Sequence, residues 1–433
     1  MLYKIKCFFA LVLAGLGISA YGQLNHIEFQ EYDLDNGLHV ILHRDNSTPI
    51  VAINITYHVG SKNEQPDRTG FAHFFEHLMF EGSEYIKRGD FDNYVQNAGG
   101  MNNAGTSFDY TMYYEILPSN QLELGLWLES ERLLHLRIDS FGVETQRNVI
   151  KEERRERYDN QPYGSILEEA FSNSFREHPY RWVPIGNFQY IDEAKIGEFI
   201  EFYNRFYVPE NAVLIVAGDI DYDQAIKLVH DYFGEIPKNG KKIYRPDAKE
   251  PPSVAEVRKT VYDNIQLPAI FTAYRMPGMG DPDIYPLGML QSLLAGGQSS
   301  RLYKSIVDNQ QLAVEAGAIP LSLEDAGLFL VYGIANMGIT LEEIEQAMDE
   351  EIRKVAEKGL SEKEFQKLVN QTENDFISRN TTMAGISESL AGYYTFYGEP
   401  GLINTEIEKY LAVTPGDIVA VAKKYLVPEN RLR

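Results

Sequence analysis

Runs of apolar and polar residues divide this chain into segments whose periods predict their structure. Cys7 to Ile18 is a nearly unbroken apolar run behind a short basic start, Lys4 and Lys6, and small residues follow at Ser19, Ala20 and Gly22. That order is expected of a secretory signal peptide, residues 1–22, cut near Ala20 or Gly22, because the run falls short of the ~20 apolar residues of a membrane-spanning helix. Pro49 to Val59 reads as a strand, and Asn211 to Gly218 as a strand buried on both faces. Helical spacing marks Gly70 to Phe80, which Thr69 is placed to cap, and also Val143 to Tyr158, Ile196 to Tyr207 and Pro415 to Leu426.

The chain also matches itself. Val208-Pro209-Glu210-Asn211 recurs as Val427-Pro428-Glu429-Asn430, each behind an amphipathic helix. At the same offset Gly197 pairs with Gly416, and Pro49 pairs with Pro268, which opens a second strand-like run to Arg275. Three landmarks at one offset predict a duplication. A stretch rich in Lys, Pro and Gly near Pro237 to Pro252 parts the copies. The expected organisation is residues 26–236, a linker at 237–254, and a second copy at 255–433. Strands, then helices, then strands in each copy predict an α+β class: two homologous domains, each a mainly antiparallel sheet covered by helices. The chain stops at Arg433, where the returning strand of the second copy is expected to begin.

Composition narrows the classes. A length of 433 residues suits two or more domains, and 44% hydrophobic with 24% charged residues excludes disordered and fibrous proteins. Lys+Arg number 40 against 63 Asp+Glu, a formal charge of −23, which repels nucleic-acid phosphates and favours basic partners. After the signal peptide no segment is apolar enough to cross a membrane. Cys7 is the only cysteine, so a mature chain would have neither disulfides nor thiolate ligands. All nine histidines lie at or before His230, which leaves the second copy without a histidine metal site.

The chemistry concentrates at His73-Phe74-Phe75-Glu76-His77. On a helix His73, Glu76 and His77 share one face, while Phe74, Phe75, Leu78 and Met79 bury much of the remainder. Two imidazoles one turn apart can reach one zinc ion at about 2.0–2.1 Å, with a carboxylate beside them as a base. The bland alternative is a buried polar face satisfied by hydrogen bonds, but three ionisable groups on a phenylalanine-lined helix are costly to bury without a metal or partners. A catalytic zinc takes three protein ligands and leaves one position open, so one ligand must come from elsewhere. Lys151-Glu152-Glu153-Arg154-Arg155-Glu156-Arg157 contains candidates, yet it also reads as a solvated helix face with i,i+4 ion pairs, and spacing alone promotes neither glutamate.

These residues resemble the pitrilysin-type (M16) metallopeptidases, the inverzincins. The resemblance runs through Arg68 to Ser83, Gly99 to Thr106, Asp109 to Tyr113, Asn148 to Glu153 and His178 to Tyr180, and a two-copy chain with one metal-bearing copy is similar as well. It implies one Zn2+ per chain on His73, His77 and Glu153, with Glu76 as the general base of peptide-bond hydrolysis. It further implies that Asn103 and Ala104 lie on a sheet edge that takes up an extended peptide, and that short two-domain chains pair into a clamshell.

Two departures shape the expected assembly. Gln146 stands where the family often has a second glutamate; it is expected to hydrogen-bond a ligand without adding charge. The resemblance also implies an Arg and a Tyr that reach substrate from the second domain. Alignment through Ser300-Arg301-Leu302-Tyr303 puts Val307 and Val314 at those positions, with Arg301 and Tyr303 nearby at another spacing. The expected state is a homodimer, or a heterodimer whose paralogous subunit brings the pair, acting on basic peptides outside the cell or in the periplasm. No nucleic-acid partner is expected. The rival is a peptide-binding or scaffold subunit without catalysis; an intact His73, Glu76, His77 and Glu153 argue against it.

Overall fold

The alternation at Pro49 to Val59 becomes β3 (Ile50–Tyr57), which lies inside a six-stranded sheet. The computed structural model describes residues 26–433, and the predicted signal peptide lies outside the described residues. The remaining strands are β1 (Gln30–Asp33), β2 (His39–Arg44), β4 (Met101–Thr106), β5 (Thr111–Pro118) and β6 (Ala212–Gly218), in the order β1-β2-β6-β3-β5-β4. β2 and β6 run parallel and every other neighbouring pair is antiparallel. Every residue of β6 is buried, the pattern of a strand covered on both faces.

The second sheet contains β7 (Ala269–Pro277), β8 (Ala313–Leu321), β9 (Ala326–Ala335) and β10 (Arg431–Leu432), ordered β10-β7-β9-β8 and antiparallel throughout. Its order repeats β6-β3-β5-β4 of the first sheet strand for strand. The repeated Val-Pro-Glu-Asn leads into β6 in one case and β10 in the other.

Each sheet is covered on one face by helices of its own half and on the other by a helix of the opposite half. Val51, Ile53, Ile55 and Tyr57 of β3 face the Phe71–Leu78, Leu122–Leu134 and Ile196–Phe206 helices. Ala52, with Val213, Ile215 and Ala217 of β6, faces Met383, Ile386, Leu390 and Ala391 of the Met383–Tyr397 helix. In return Ala170 and Phe171 of the Ile166–Ser174 helix join a core with Ala273, Leu328 and Leu330 of the second sheet. The period of two in the strands is what lets one sheet serve two cores.

A buried ionic cluster fastens the halves together. Lys62, 3% exposed at its side chain, meets Asp109 at 3.0 Å, Asp325 at 3.1 Å, and Glu324. His58 reaches Glu324 at 2.8 Å and His178 reaches Asp325 at 3.3 Å. The Tyr180 hydroxyl donates to Asp109 at 2.6 Å, and Asp109 also accepts the Glu324 N–H at 2.9 Å. Burial lowers the Lys62 pKa, but the three carboxylates outweigh it and hold the ammonium above its ordinary value.

Candidate active site

The helix that carries the motif spans Phe71–Leu78, and its buried side is fixed by aromatic packing. Phe71 and Phe74 lie 4.7 and 4.5 Å from the ring of Phe199, and Phe75 lies 5.5 Å from Phe202. That packing turns His73, Glu76 and His77 together to the opposite side, as their spacing requires.

Its N-terminus differs from the sequence expectation. Gly70, at φ +96°, precedes the first turn, and no side chain at the usual cap position bonds to it. The Thr69 hydroxyl instead accepts the Asn187 N–H at 3.2 Å. The cap comes from Glu64, whose two carboxylate oxygens accept the N–H groups of Gly70 at 2.9 Å and Ala72 at 2.8 Å. Burial pushes the Glu64 pKa up to about 8, with the N–H groups of Ala72 and Gly70 pulling the other way. A single-residue capping rule cannot find Glu64, because Glu-x-x-x-x-x-Gly carries no helical or capping period; a buried-acid signal would need the fold.

Gly186, at φ +72°, packs against this same turn. A Cβ on Gly186 would come within 2.4 Å of the Gly70 Cα. Gly186→Ala is therefore expected to destabilise the fold by about 1–3 kcal/mol, read by chemical denaturation. An unchanged midpoint would mean that the two backbones do not need this approach.

The third member of the site arrives on the Ser140–Arg154 helix, which crosses the motif helix and continues as a wide turn to Asp159. There the two adjacent glutamates part. Glu152 is 57% exposed and pairs with Arg155 at 2.9 Å, the solvated-face role. Glu153 is 17% exposed and brings Oε2 to 3.1 Å from His77 Nε2 and 3.5 Å from His73 Nε2. Its other oxygen meets Arg157 at 3.2 Å. Ligand atoms of His73, His77 and Glu153 all lie within 4.8 Å of one another.

The donor set suits zinc. Bonds of about 2.0–2.2 Å in a tetrahedron separate ligand atoms by roughly 3.4 Å, close to the 3.5 and 3.1 Å from Glu153 to His73 and His77. Burial, and then His77, push the His73 pKa down to about 4, which keeps its imidazole neutral and able to ligate. Its Nδ1 is buried with no hydrogen-bond partner. Glu153 is held below the usual carboxylate range first by its hydrogen bond to His77, against burial. Burial raises the Glu76 carboxyl, while Thr106 and His77 pull against it. The Thr106 hydroxyl, at the end of β4, faces Glu76 but makes no hydrogen bond of proper geometry.

Asn103 and Ala104 lie on β4, the free edge of the first sheet. The Ala104 N–H points away from β5 and is taken up by the Asn103 side chain at 2.9 Å. Gln146 donates to Glu81 at 2.5 Å and makes no hydrogen bond to His73, His77 or Glu153 among the described residues; its carbonyl oxygen is buried without a partner. Val307 is half-buried beside the second core, and Val314 lies exposed on β8. Arg301 is committed to Glu364 at 2.8 Å and to the Gly359 carbonyl at 2.9 Å.

A duplicated α+β chain with an H-x-x-E-H helix and a glutamate from a crossing helix defines a class of metallopeptidase, and the comparisons agree. Residues 39–181 match the family profile described as insulinase (peptidase family M16), and residues 195–372 match that of the peptidase M16 inactive domain. The zinc protease PqqE of Helicobacter pylori is 30% identical over 421 residues, which cover 96% of this chain and 94% of that protein. The chain belongs to peptidase family M16. The zinc protease YmxG of Bacillus subtilis is 24% identical over 369 residues, covering 84% of this chain and 88% of that one. A protease from Helicobacter pylori has a solved structure with a TM-score of 0.89 and 29% identity, covering 94% of this chain and 98% of that one. The periplasmic protease PqqL of Escherichia coli shares the fold at a TM-score of 0.76 and 20% identity, over 93% of this chain and 47% of that one. No helix among the described residues is long and apolar enough to cross a membrane.

Proposed function

We propose that this chain is a zinc-dependent endopeptidase of peptides or unfolded segments, with one zinc ion held by His73, His77 and Glu153 and with Glu76 as general base. The observation that carries this reading is the convergence of two imidazoles and one carboxylate, from two crossing helices, within 4.8 Å. A zinc ion bound there supplies Lewis acidity toward the scissile carbonyl and the attacking water. Glu76 takes a proton from that water at its carboxylate and delivers it to the leaving amine; a burial-raised pKa suits both transfers. Arg157 keeps the second oxygen of Glu153 occupied, which directs the first toward the histidines.

The substrate backbone adds to β4. Its exposed edge lets an extended peptide pair with the Ala104 N–H once the Asn103 side chain moves off, and such pairing tolerates varied sequences. Ala104→Pro removes that donor on an edge where proline is tolerated. The expected result is a roughly 3- to 10-fold fall in kcat/KM carried by KM, the worth of one hydrogen bond. A variant with unchanged KM would place the substrate elsewhere.

Val307 and Val314, where an Arg and a Tyr are implied, support a dimer: a homodimer, or a pair with a paralogous subunit that brings both groups. The formal charge of −23 favours basic peptides. The apolar run behind Lys4 and Lys6 supports secretion or a periplasmic location. The recurring strand order supports domains at 26–236 and 255–433 joined by 237–254.

The test is cleavage of a fluorogenic peptide mixture by the purified chain, alone and with a paralogous subunit. Cleavage abolished by a chelator and restored by zinc is expected. A zinc-loaded protein inert in both samples would make the chain a peptide-binding scaffold, and equal activity in both would remove the heterodimer.

A further inference from the structure

The motif helix has only eight residues, and both of its ends are held by buried ionisable groups that the proposed chemistry does not use. Glu64 accepts two N–H groups at the N-terminus. At the C-terminal end, fully buried Arg132 turns Nε to the Met79 carbonyl at 3.4 Å and Nη1 to Glu129 at 2.5 Å. Its guanidinium lies 4.3, 4.4 and 4.8 Å from the rings of Phe91, Tyr113 and Phe80. An anion at the positive end and a cation at the negative end both favour the helix dipole.

Capping alone does not explain a buried carboxyl here. Thr69 stands beside the helix start, and a neutral hydroxyl cap would serve, yet its hydroxyl bonds Asn187. Burying a carboxylate costs far more than burying a hydroxyl, and among the described residues Glu64 forms no ion pair closer than 4.0 Å. The position of the histidines supplies the missing reason. His73 is the third residue of the helix, so a dication on it lies beside the first turn, where the partial positive charge of unpaired N–H groups opposes cation binding. A carboxylate on those N–H groups cancels that charge, and a dication one turn away in turn favours the ionised carboxylate.

We propose that Glu64 is a positioning residue for the metal: in its ionised form, with both oxygens accepting N–H groups, it neutralises the N-terminal end of the motif helix, so that zinc on His73, His77 and Glu153 and the Glu64 carboxylate favour each other, with Arg132 anchoring the other end. This rests on the zinc reading above. Glu64→Gln removes the charge and keeps an acceptor for only one of the two N–H groups, so zinc affinity is read beside the melting of zinc-free protein, which reports the capping part.

The experiment measures zinc affinity by competition with a chromogenic chelator above about pH 8, where the Glu64 carboxyl is ionised, and the melting of zinc-free protein, for the full chain, Glu64→Gln and Glu64→Ala. Expected is a 10- to 100-fold weaker zinc affinity in Glu64→Gln, with zinc-free wild type and variant melting within a few degrees of each other. A residue that served the fold alone would lower melting and leave zinc affinity of the folded protein unchanged, and that result overturns the proposal. If Glu64→Ala fails to fold, Glu64→Gln alone decides. A wild type that binds zinc and cleaves no peptide ends the peptidase reading but leaves this comparison valid; a wild type that binds no zinc overturns both.

Discussion

Glu76→Gln is expected to slow peptide hydrolysis by about 10²–10⁴-fold, the range for loss of a positioned general base, while zinc content stays at the wild-type level. The substitution keeps the shape of the side chain and its place one turn after His73 and next to His77, but an amide cannot accept the proton of the attacking water. Glu76 is outside the group whose ligand atoms converge, so metal retention should not depend on it. Burial raises the carboxyl, with Thr106 and His77 opposing the rise, and a raised carboxyl is the stronger proton acceptor. Steady-state kinetics with metal analysis of the same samples checks it. Turnover at the wild-type rate with full zinc would assign the base to another group.

Lys62→Met is expected to destabilise the protein by about 3–5 kcal/mol, the usual result of removing one partner from a buried ion cluster. Asp109, Glu324 and Asp325 converge on one ammonium, and Asp109 is as buried as Lys62. Without the cation these carboxylates face one another, with His58 and His178 as the remaining partners at 2.8 and 3.3 Å. Because the cluster joins the halves, urea denaturation should show a lower midpoint and a transition that broadens as the halves uncouple. Adding Glu324→Gln should recover part of the loss by removing one negative charge. A variant as stable as wild type would show that helix exchange alone holds the halves. The same cluster sets an acid limit. Burial raises Asp325, but His178 and Lys62 pull it down to about 2. A depressed carboxylate contributes stability above its unfolded pKa of about 3.9 that is lost as pH falls through the folded value, so this contribution disappears between about pH 4 and 2.

Elements with strong local periods were legible in the sequence. Asn211 to Gly218 became β6, Pro268 to Arg275 lies within β7 and its approach at Pro268, and Ile196 to Tyr207 and Pro415 to Leu426 became helices ending at Phe206 and Tyr425. The grouping of His73, Glu76 and His77 followed from helical geometry. Features that depend on distant partners were hidden. Which of Glu152 and Glu153 turns inward depends on how the Ser140–Arg154 helix crosses the motif helix, and no local pattern records a crossing angle. Thr69 looked like a cap because capping rules read neighbours, whereas Glu64 reaches the helix through the fold. The ionic cluster combines residues from four separate segments, and the exchange of the Ile166–Ser174 and Met383–Tyr397 helices between halves leaves no trace in amphipathic spacing.

Metal analysis of three proteins tests the zinc site most directly: wild type, Glu152→Gln and Glu153→Gln, each purified with zinc and desalted. The adjacent glutamates differ in sequence by nothing that spacing detects, but in the structure one pairs with Arg155 in solvent and the other faces both imidazoles. The expected result is one zinc per chain in wild type and Glu152→Gln, and a loss of zinc in Glu153→Gln. Zinc retained by Glu153→Gln, or lost from Glu152→Gln, would contradict the site described.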